Sequence, residues 1–258
     1  MMCPVSSRSL VVALCLASSL AACGGGSPPA PGSSPPAAIP SDNPVNPATA
    51  GTITGTVTLT GAAPAPRPIN MNSDPYCVEQ GGGTTQALVV GSGANLGNVF
   101  VYVKDGLGAL VFPIPQAPVV LDQRHCMYAP RVFGIHAGQA LEIRNSDNTL
   151  HNIHARPEVN REFNRGQGSA GMAHTHVFTA PEVMVPFRCD VHKWMNAWVG
   201  VLSHPFYAVT DVDGAFNLTG LPPGTYTIEA WHETLGTQTR TVTVGTKDTQ
   251  HIAFTFSS

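Results

Sequence analysis

Cys189, His192 and Met195 stand at three-residue steps within residues 187–195. A thiolate, an imidazole and a thioether carried on one tight loop can reach a common centre. A soft thiolate with two imidazoles and a weak axial thioether is the donor set of a copper site that transfers electrons. The loop supplies three of those four donors, so the second imidazole has to come from elsewhere. The best source is the stretch 140–154. There the apolar residues 140–143 read as a strand, and a polar turn through Asn145, Asp147 and Asn148 leads to His151. His154 competes for the same role three residues later. Two other chemistries use the same residue types. Cys189 and His192 would make half of a zinc site, but methionine is a poor zinc ligand and no Cys-x-x-Cys pair accompanies them. Cys189 as a nucleophile with His192 as its base would leave Met195 without a role.

The paired pattern is a strand ending in Asn145-x-Asp147 and then His151-Asn152, followed later by Cys189-x-x-His192-x-x-Met195. It resembles the cupredoxins, with the short ligand-loop spacing of amicyanin rather than the longer one of plastocyanin. Residues 128–139 are similar to the cupredoxin strand that precedes the first ligand. The resemblance implies a Greek-key β-sandwich holding one type 1 copper ion. His151, Cys189 and His192 would be its equatorial ligands and Met195 its axial one. Asn152 matches the family's asparagine that ties the two ligand loops together near the sulfur, the kind of contact that fixes ligand geometry and tunes potential. The sequence departs from amicyanin-like loops at Lys193, where proline is usual. Lysine is more flexible and adds a positive charge near the expected electron port.

The remaining histidines show less pattern. His174 and His176 alternate at strand period and therefore share a face. They read as exposed strand histidines, with a second metal site as the alternative. His125, His136, His204, His232 and His251 have no convergent spacing and read as surface or capping residues. Trp194 and Trp198 flank the ligand loop and read as packing residues.

The elements that must position this site are strands. Hydrophobic residues make up 43% of the 258-residue chain and charged ones only 11%, with frequent valine, threonine and phenylalanine between Gly/Pro-rich turns. That mixture predicts an all-β protein. Residues 51–61 alternate at β-period, and 98–104 read as a second strand. Far downstream, an Asp211-x-Asp213-Gly214 turn and a Pro222-Pro223-Gly224 turn separate further strands. These segments together resemble the carboxypeptidase-regulatory-like β-sandwich, a non-catalytic module. In that module the first two strands are soon followed by the hairpin, which here arrives about a hundred residues late, beyond any ordinary loop. We therefore expect a cupredoxin domain at 118–203 inserted into a regulatory-like sandwich formed by 51–117 and 204–258. The alternative is two joined domains in tandem, in which the last 55 residues or so would struggle to bury a core alone.

The N-terminus reads as an export signal: the short apolar run 10–20, then Leu20, Ala21, Ala22 and Cys23. That ending resembles the bacterial lipobox and implies lipid on Cys23, with 1–23 as the signal and the Gly/Pro/Ser-rich stretch 24–50 as a linker. Gly24 next to the lipidated residue implies, by the same resemblance, an outer-membrane anchor facing the periplasm or the cell surface. Beyond the signal, Cys77, Cys126 and Cys189 remain. In an oxidising compartment an odd number leaves one thiol with another fate. Cys189 lies in the metal-ligand stretch, so Cys77 and Cys126 are expected to pair; three free buried thiols are the alternative. A net charge of −3 gives no reason to expect nucleic acid. The expected role is an electron carrier cycling Cu(I)/Cu(II) with an unknown redox protein, rather than an enzyme. Its competitors are a copper storage, delivery or sensing lipoprotein and a copper oxidoreductase subunit, which would need a second copper.

Overall fold

The computed structural model describes residues 43–258. The expected signal peptide, the lipidated Cys23 and most of the linker lie outside the described residues. The chain begins with β1 (Gly51–Thr60), α1 (Pro75–Glu79), β2 (Val89–Val90), β3 (Leu96–Gly97) and β4 (Phe100–Asp105). Nine strands follow: β5 (Val119–Arg124), β6 (Met127–Ala129), β7 (Val132–His136), β8 (Ala140–Asn145), β9 (His151–Ala155), β10 (Phe163–Gln167), β11 (Ala173–Val177), β12 (Glu182–Arg188) and β13 (Asn196–Leu202). The chain ends with β14 (Tyr207–Val209), β15 (Ala215–Leu221), β16 (Gly224–His232), β17 (Gly236–Val244) and β18 (Thr249–Ser257). The protein is all-β, as its composition and alternation predict.

Strand β1 shows why these residues make a sheet. Gly51, Ile53, Gly55, Val57 and Leu59 face inward, and a threonine stands at every position between them and at the end. Small or apolar side chains on one face and β-branched hydroxyls on the other suit a half-buried strand. β1 is the middle strand of a three-stranded sheet, antiparallel to β15 and parallel to β18. A second sheet runs in the order β14-β4-β16-β17. One core joins the two sheets, with Ile53 and Val57 from β1, Val101 from β4, Phe216 from β15, Ile228 from β16 and Phe254 from β18. Strands from both ends of the described chain therefore share a single apolar centre, and the chain leaves it after β4 and returns at β14. At Gly55 an added Cβ would collide with the Phe216 ring and the Ile252 carbonyl.

The intervening strands form two more sheets, ordered β10-β9-β12-β13-β7 and β11-β8-β5-β6. β13 runs parallel to β7 and β5 parallel to β8; the other pairs in these sheets are antiparallel. Their core includes Leu121, Phe133, Leu141, Ile143, Phe178, Phe187 and Val199, and it extends to Cys189 and Met195. A third cluster lies between the two sandwiches, where Phe100 and Tyr102 of β4 meet Val132, Met184 and Leu202. Gly200 leaves room for the Phe100 ring and Gly134 for the Tyr207 ring. Tyr207 also donates to the Gly134 carbonyl at 3.0 Å. Arg131 grips Glu233 through two bonds of 2.7 and 2.8 Å, with both side chains less than a tenth exposed. The two sandwiches are thus joined by apolar packing and a bidentate ion pair.

Three histidines read as surface or capping residues are buried. His136, His204 and His232 are 9%, 8% and 1% exposed. Local sequence does not reveal this, because each is enclosed by strands distant in the chain. His204 Nδ1 accepts from the Phe206 N–H, and His232 Nδ1 from the Thr234 N–H. Both are therefore local caps, but inside the structure. Burial pushes each of them down to about 4.

Two predictions follow from this packing. Gly55→Val should cost about 3 kcal/mol through overpacking against Phe216, read as a lowered midpoint in denaturant unfolding; an unchanged midpoint would mean β1 is not packed as described. The second concerns pH. Unfolding frees His204 and His232 to bind protons below about pH 6.5. Their neutral forms therefore contribute full stability above that pH, and it is lost as pH falls toward about 4, on the order of 3 kcal/mol for each. Thermal melts from pH 7 to 4.5 should show a smaller fall for His204→Gln/His232→Gln than for the unmodified chain.

Candidate metal centre

Two turns at one end of the second sandwich bring the donor side chains together. The first joins β8 to β9 and delivers His151 as the first residue of β9. The second runs from the end of β12 to the start of β13 and carries Cys189, His192 and Met195. This loop folds back on itself. The Cys189 N–H donates to the Met195 carbonyl at 3.2 Å, the Met195 N–H to the His192 carbonyl at 2.8 Å, and the His192 N–H to Cys189 Sγ at 3.3 Å. Three-residue spacing thereby becomes spatial convergence. One ligand atom each from His151, Cys189 and His192 lies within 4.8 Å of the others. All three residues are buried, as is Met195, which packs in the same core as Cys189.

The proton bookkeeping of the two imidazoles decides what this cluster fits. His151 Nε2 lies 2.8 Å from Asp147 Oδ2, and His192 Nε2 lies 3.0 Å from Asp74 Oδ2. Carboxylates only accept, so each Nε2 carries the proton. A neutral imidazole then has a bare lone pair at Nδ1. The two Nδ1 atoms are 2.9 Å apart. Burial holds His151 below its ordinary range, despite the bond to Asp147, and the neighbouring His192 pushes the same way. Two ring nitrogens this close beside a buried sulfur need a cation between them, either a shared proton or a metal ion that also takes the sulfur. The set of two imidazole nitrogens, a thiolate and a nearby thioether fits copper better than zinc, whose closed sites draw on further cysteines, histidines or carboxylates.

Sequence reading missed Asp74 altogether and, for Asp147, the bond to His151. Asp74 caps α1, its Oδ1 accepting from the Tyr76 N–H at 2.8 Å, with Pro75 in the first turn. Its Oδ2 also accepts from Thr149 at 2.7 Å. Burial raises its pKa, but the bonds from Thr149, His192 and the backbone of Tyr76 and Cys77 outweigh burial and leave it below the usual carboxylate range. Asp147 accepts from the N–H groups of His125 and Cys126, both at 2.8 Å, and from the Tyr76 hydroxyl at 3.3 Å. Cys77 and Cys126 are joined in a disulfide with Cα atoms 5.6 Å apart. The bond links α1 to the turn after β5, so it ties together the two segments that hold the carboxylates. Cys77 Sγ lies 3.8 Å from His192 Nε2, and the Trp194 ring packs 5.0 Å from the His192 ring while donating to the Cys126 carbonyl. The outer edge of His192 is consequently covered.

On the other side of the sulfur, Asn152 Oδ1 lies 3.3 Å from Cys189 Sγ and accepts from the Asp190 N–H at 2.7 Å. Asn152 Nδ2 donates to Asp190 Oδ2 at 3.0 Å. The asparagine therefore bridges the two ligand turns. His154 faces away from the cluster, between Glu162 at 2.8 Å and Asp190 at 3.2 Å. The bond to Glu162 is the main reason its pKa is raised. His174 and His176 share a face as expected but are half-buried, and the His176 ring stacks 4.0 Å from that of Phe163. Among the described residues they join no group of three ligand-type side chains.

Residues 196–257 match the family model of the carboxypeptidase regulatory-like domain, a span that runs from β13 to β18. No curated protein matches the sequence. Among solved structures, the chain is similar to the Cu-containing nitrite reductase (NirK) from Thermus scotoductus SA-01, with 18% identity and a TM-score of 0.32, covering 39% of this chain and 26% of that one. The chain thus spans about a quarter of that reductase. It is also similar to a purple cupredoxin from Nitrosopumilus maritimus, with 21% identity and a TM-score of 0.28, covering 32% of this chain and 98% of that one. A Cu(I) amicyanin mutant shares 18% identity at a TM-score of 0.30, covering 39% of this chain and 97% of that one.

Proposed function

We propose that this chain is an exported blue-copper protein that carries single electrons. The observation that carries the reading is the pair of Nδ1 atoms 2.9 Å apart beside Cys189, with a carboxylate at the Nε2 of each ring. His151, His192 and the Cys189 thiolate would hold one type 1 copper ion, with Met195 as the axial donor. Bound copper supplies exchange of one electron between Cu(I) and Cu(II). The protein's own groups do the rest. Asp147 and Asp74 hold each imidazole in one tautomer and one orientation, Asn152 fixes the sulfur-bearing turn, and the disulfide with Trp194 keeps water from the imidazole edges. Buried, fully supplied ligation leaves no place for a substrate, which favours a carrier over a copper oxidoreductase. The same covering opposes ready metal exchange, which disfavours storage or delivery.

The architecture we propose places this copper domain, roughly 118–203, as an insert in the regulatory-like sandwich of 51–117 and 204–258. The sharing of one core by β1, β4 and β14–β18 supports that division. Export fits the Cys77–Cys126 disulfide, since such bonds persist in oxidising compartments. Lipid on Cys23, an outer-membrane position and a redox protein as partner complete the proposal.

Titration with Cu(II) should give an intense visible sulfur-to-copper charge-transfer band that saturates at one ion per chain. Cys189→Ser should remove the band, and Met195→Leu should keep it while raising the potential. A colourless protein that prefers zinc would end this reading. Because a carboxylate behind an imidazole favours the more highly charged metal, Asp74→Asn should raise the reduction potential by about 50 mV, equivalent to roughly 1 kcal/mol for one electron. Asp147→Asn should act in the same direction, and voltammetry would show no shift if neither carboxylate acts on its imidazole.

A further inference from the structure

Electrons have to reach the ligand set from outside, and the structure closes one route and leaves another open. The His192 route is closed. The residue is 1% exposed, its Nε2 is held by Asp74, the disulfide lies against it, and Trp194 covers its ring. On the opposite side Cys189 is itself buried, at 2% exposure, but it lines a surface cavity. That cavity, of about 290 Å³, is lined by Arg188, Cys189, Asp190, Lys193 and Asn196, so it leads from solvent to the residue that bears the sulfur.

The charges at this mouth are unbalanced. Arg188 and Lys193 are exposed, and neither has a carboxylate partner within 4.0 Å among the described residues. Asp190 is the only acid in the lining, so two cations there face one anion. Its carboxylate accepts from Asn164 at 2.7 Å and Asn152 at 3.0 Å and faces His154 at 3.2 Å. The two cations are thus free to meet an incoming anionic surface directly beside Cys189.

Resting on the copper reading above, we infer that the redox partner docks over this cavity, on the Cys189 side, and that it is a protein presenting carboxylates to Arg188 and Lys193. Charge complementarity across such a surface raises encounter rates and is weakened by salt. The transfer itself breaks no bond and moves no proton: one electron passes from the reduced chain to an oxidant that gains it.

The test uses two one-electron oxidants of opposite charge on the copper-loaded, reduced full chain. Hexacyanoferrate(III), which becomes hexacyanoferrate(II), should react in a salt-sensitive manner and about tenfold more slowly with Arg188→Gln/Lys193→Gln. The cationic tris(phenanthroline)cobalt(III) should react no more slowly with that variant. A readout free of electron transfer comes from hexacyanochromate(III), a redox-inert paramagnetic anion. In NMR spectra of the diamagnetic Cu(I) form it should broaden the backbone amides of Arg188, Lys193 and Asn196 first, and the double variant should lose that effect. Broadening centred on another patch, equal slowing of both oxidants, or no slowing of hexacyanoferrate would overturn the docking site. Absence of the visible band would overturn the copper reading instead, while the chromium probe would still decide whether the cavity attracts anions.

Discussion

The structure depends on a contact between unlike parts of the chain: the buried carboxylate of Asp147 and the half-buried one of Asp74, each facing the outer nitrogen of one imidazole. Holding each ring by its Nε2 turns both Nδ1 atoms toward each other and toward the sulfur. Burying two imidazoles and a thiol this closely is unfavourable without partners. Asp74 and Asp147 supply the polar partners on the outer side and leave the inner side to a cation. The disulfide serves this arrangement by holding α1, which carries Asp74, against the turn whose N–H groups hold Asp147. Removing it would release the carboxylates before it disturbed either sandwich core, because Cys77 and Cys126 lie in a small satellite cluster with Met71.

The surrounding sandwiches act as the frame for that contact. The ligand turns sit between strands whose apolar faces are locked, so neither turn can swing without dislodging β9, β12 or β13. Between strands the chain crosses twice from one sandwich to the other, before β5 and before β14, and the α1 segment reaches over separately between β1 and β4. Phe100, Tyr207, Gly134 and Gly200 interdigitate beneath those crossings, and Arg131 and Glu233 close the edge. Two crossings and a packed interface hold the metal-site sandwich far more rigidly than a single linker would. A fixed orientation suits a protein that must present one open face while covering another.

How much of this was legible in the sequence depended on distance along the chain. The cluster of Cys189, His192 and Met195 is local, and spacing alone exposes it. His151 was legible because a strand and a polar turn precede it and Asn152 follows it. Asp147 was visible as part of the Asn145-x-Asp147 turn, but its bond to His151 depends on how the turn folds. Asp74 lies 118 residues from His192, and its only local signature is that of a helix cap before Pro75. Burial of His204 and His232 was hidden for the same reason. The alternation in β1 was clear, whereas its parallel pairing with β18 was not, since no local pattern specifies a partner nearly two hundred residues away.

The most direct test of the converging donor atoms is copper X-ray absorption on the Cu(II)-loaded chain, which reads the atoms bound to the ion without reference to colour or potential. Two imidazole nitrogens and one short sulfur contact in the first shell, with the sulfur lost in Cys189→Ser, is the result predicted here. A shell of nitrogen and oxygen alone, or one unchanged by loss of the Cys189 sulfur, would contradict the proposed site.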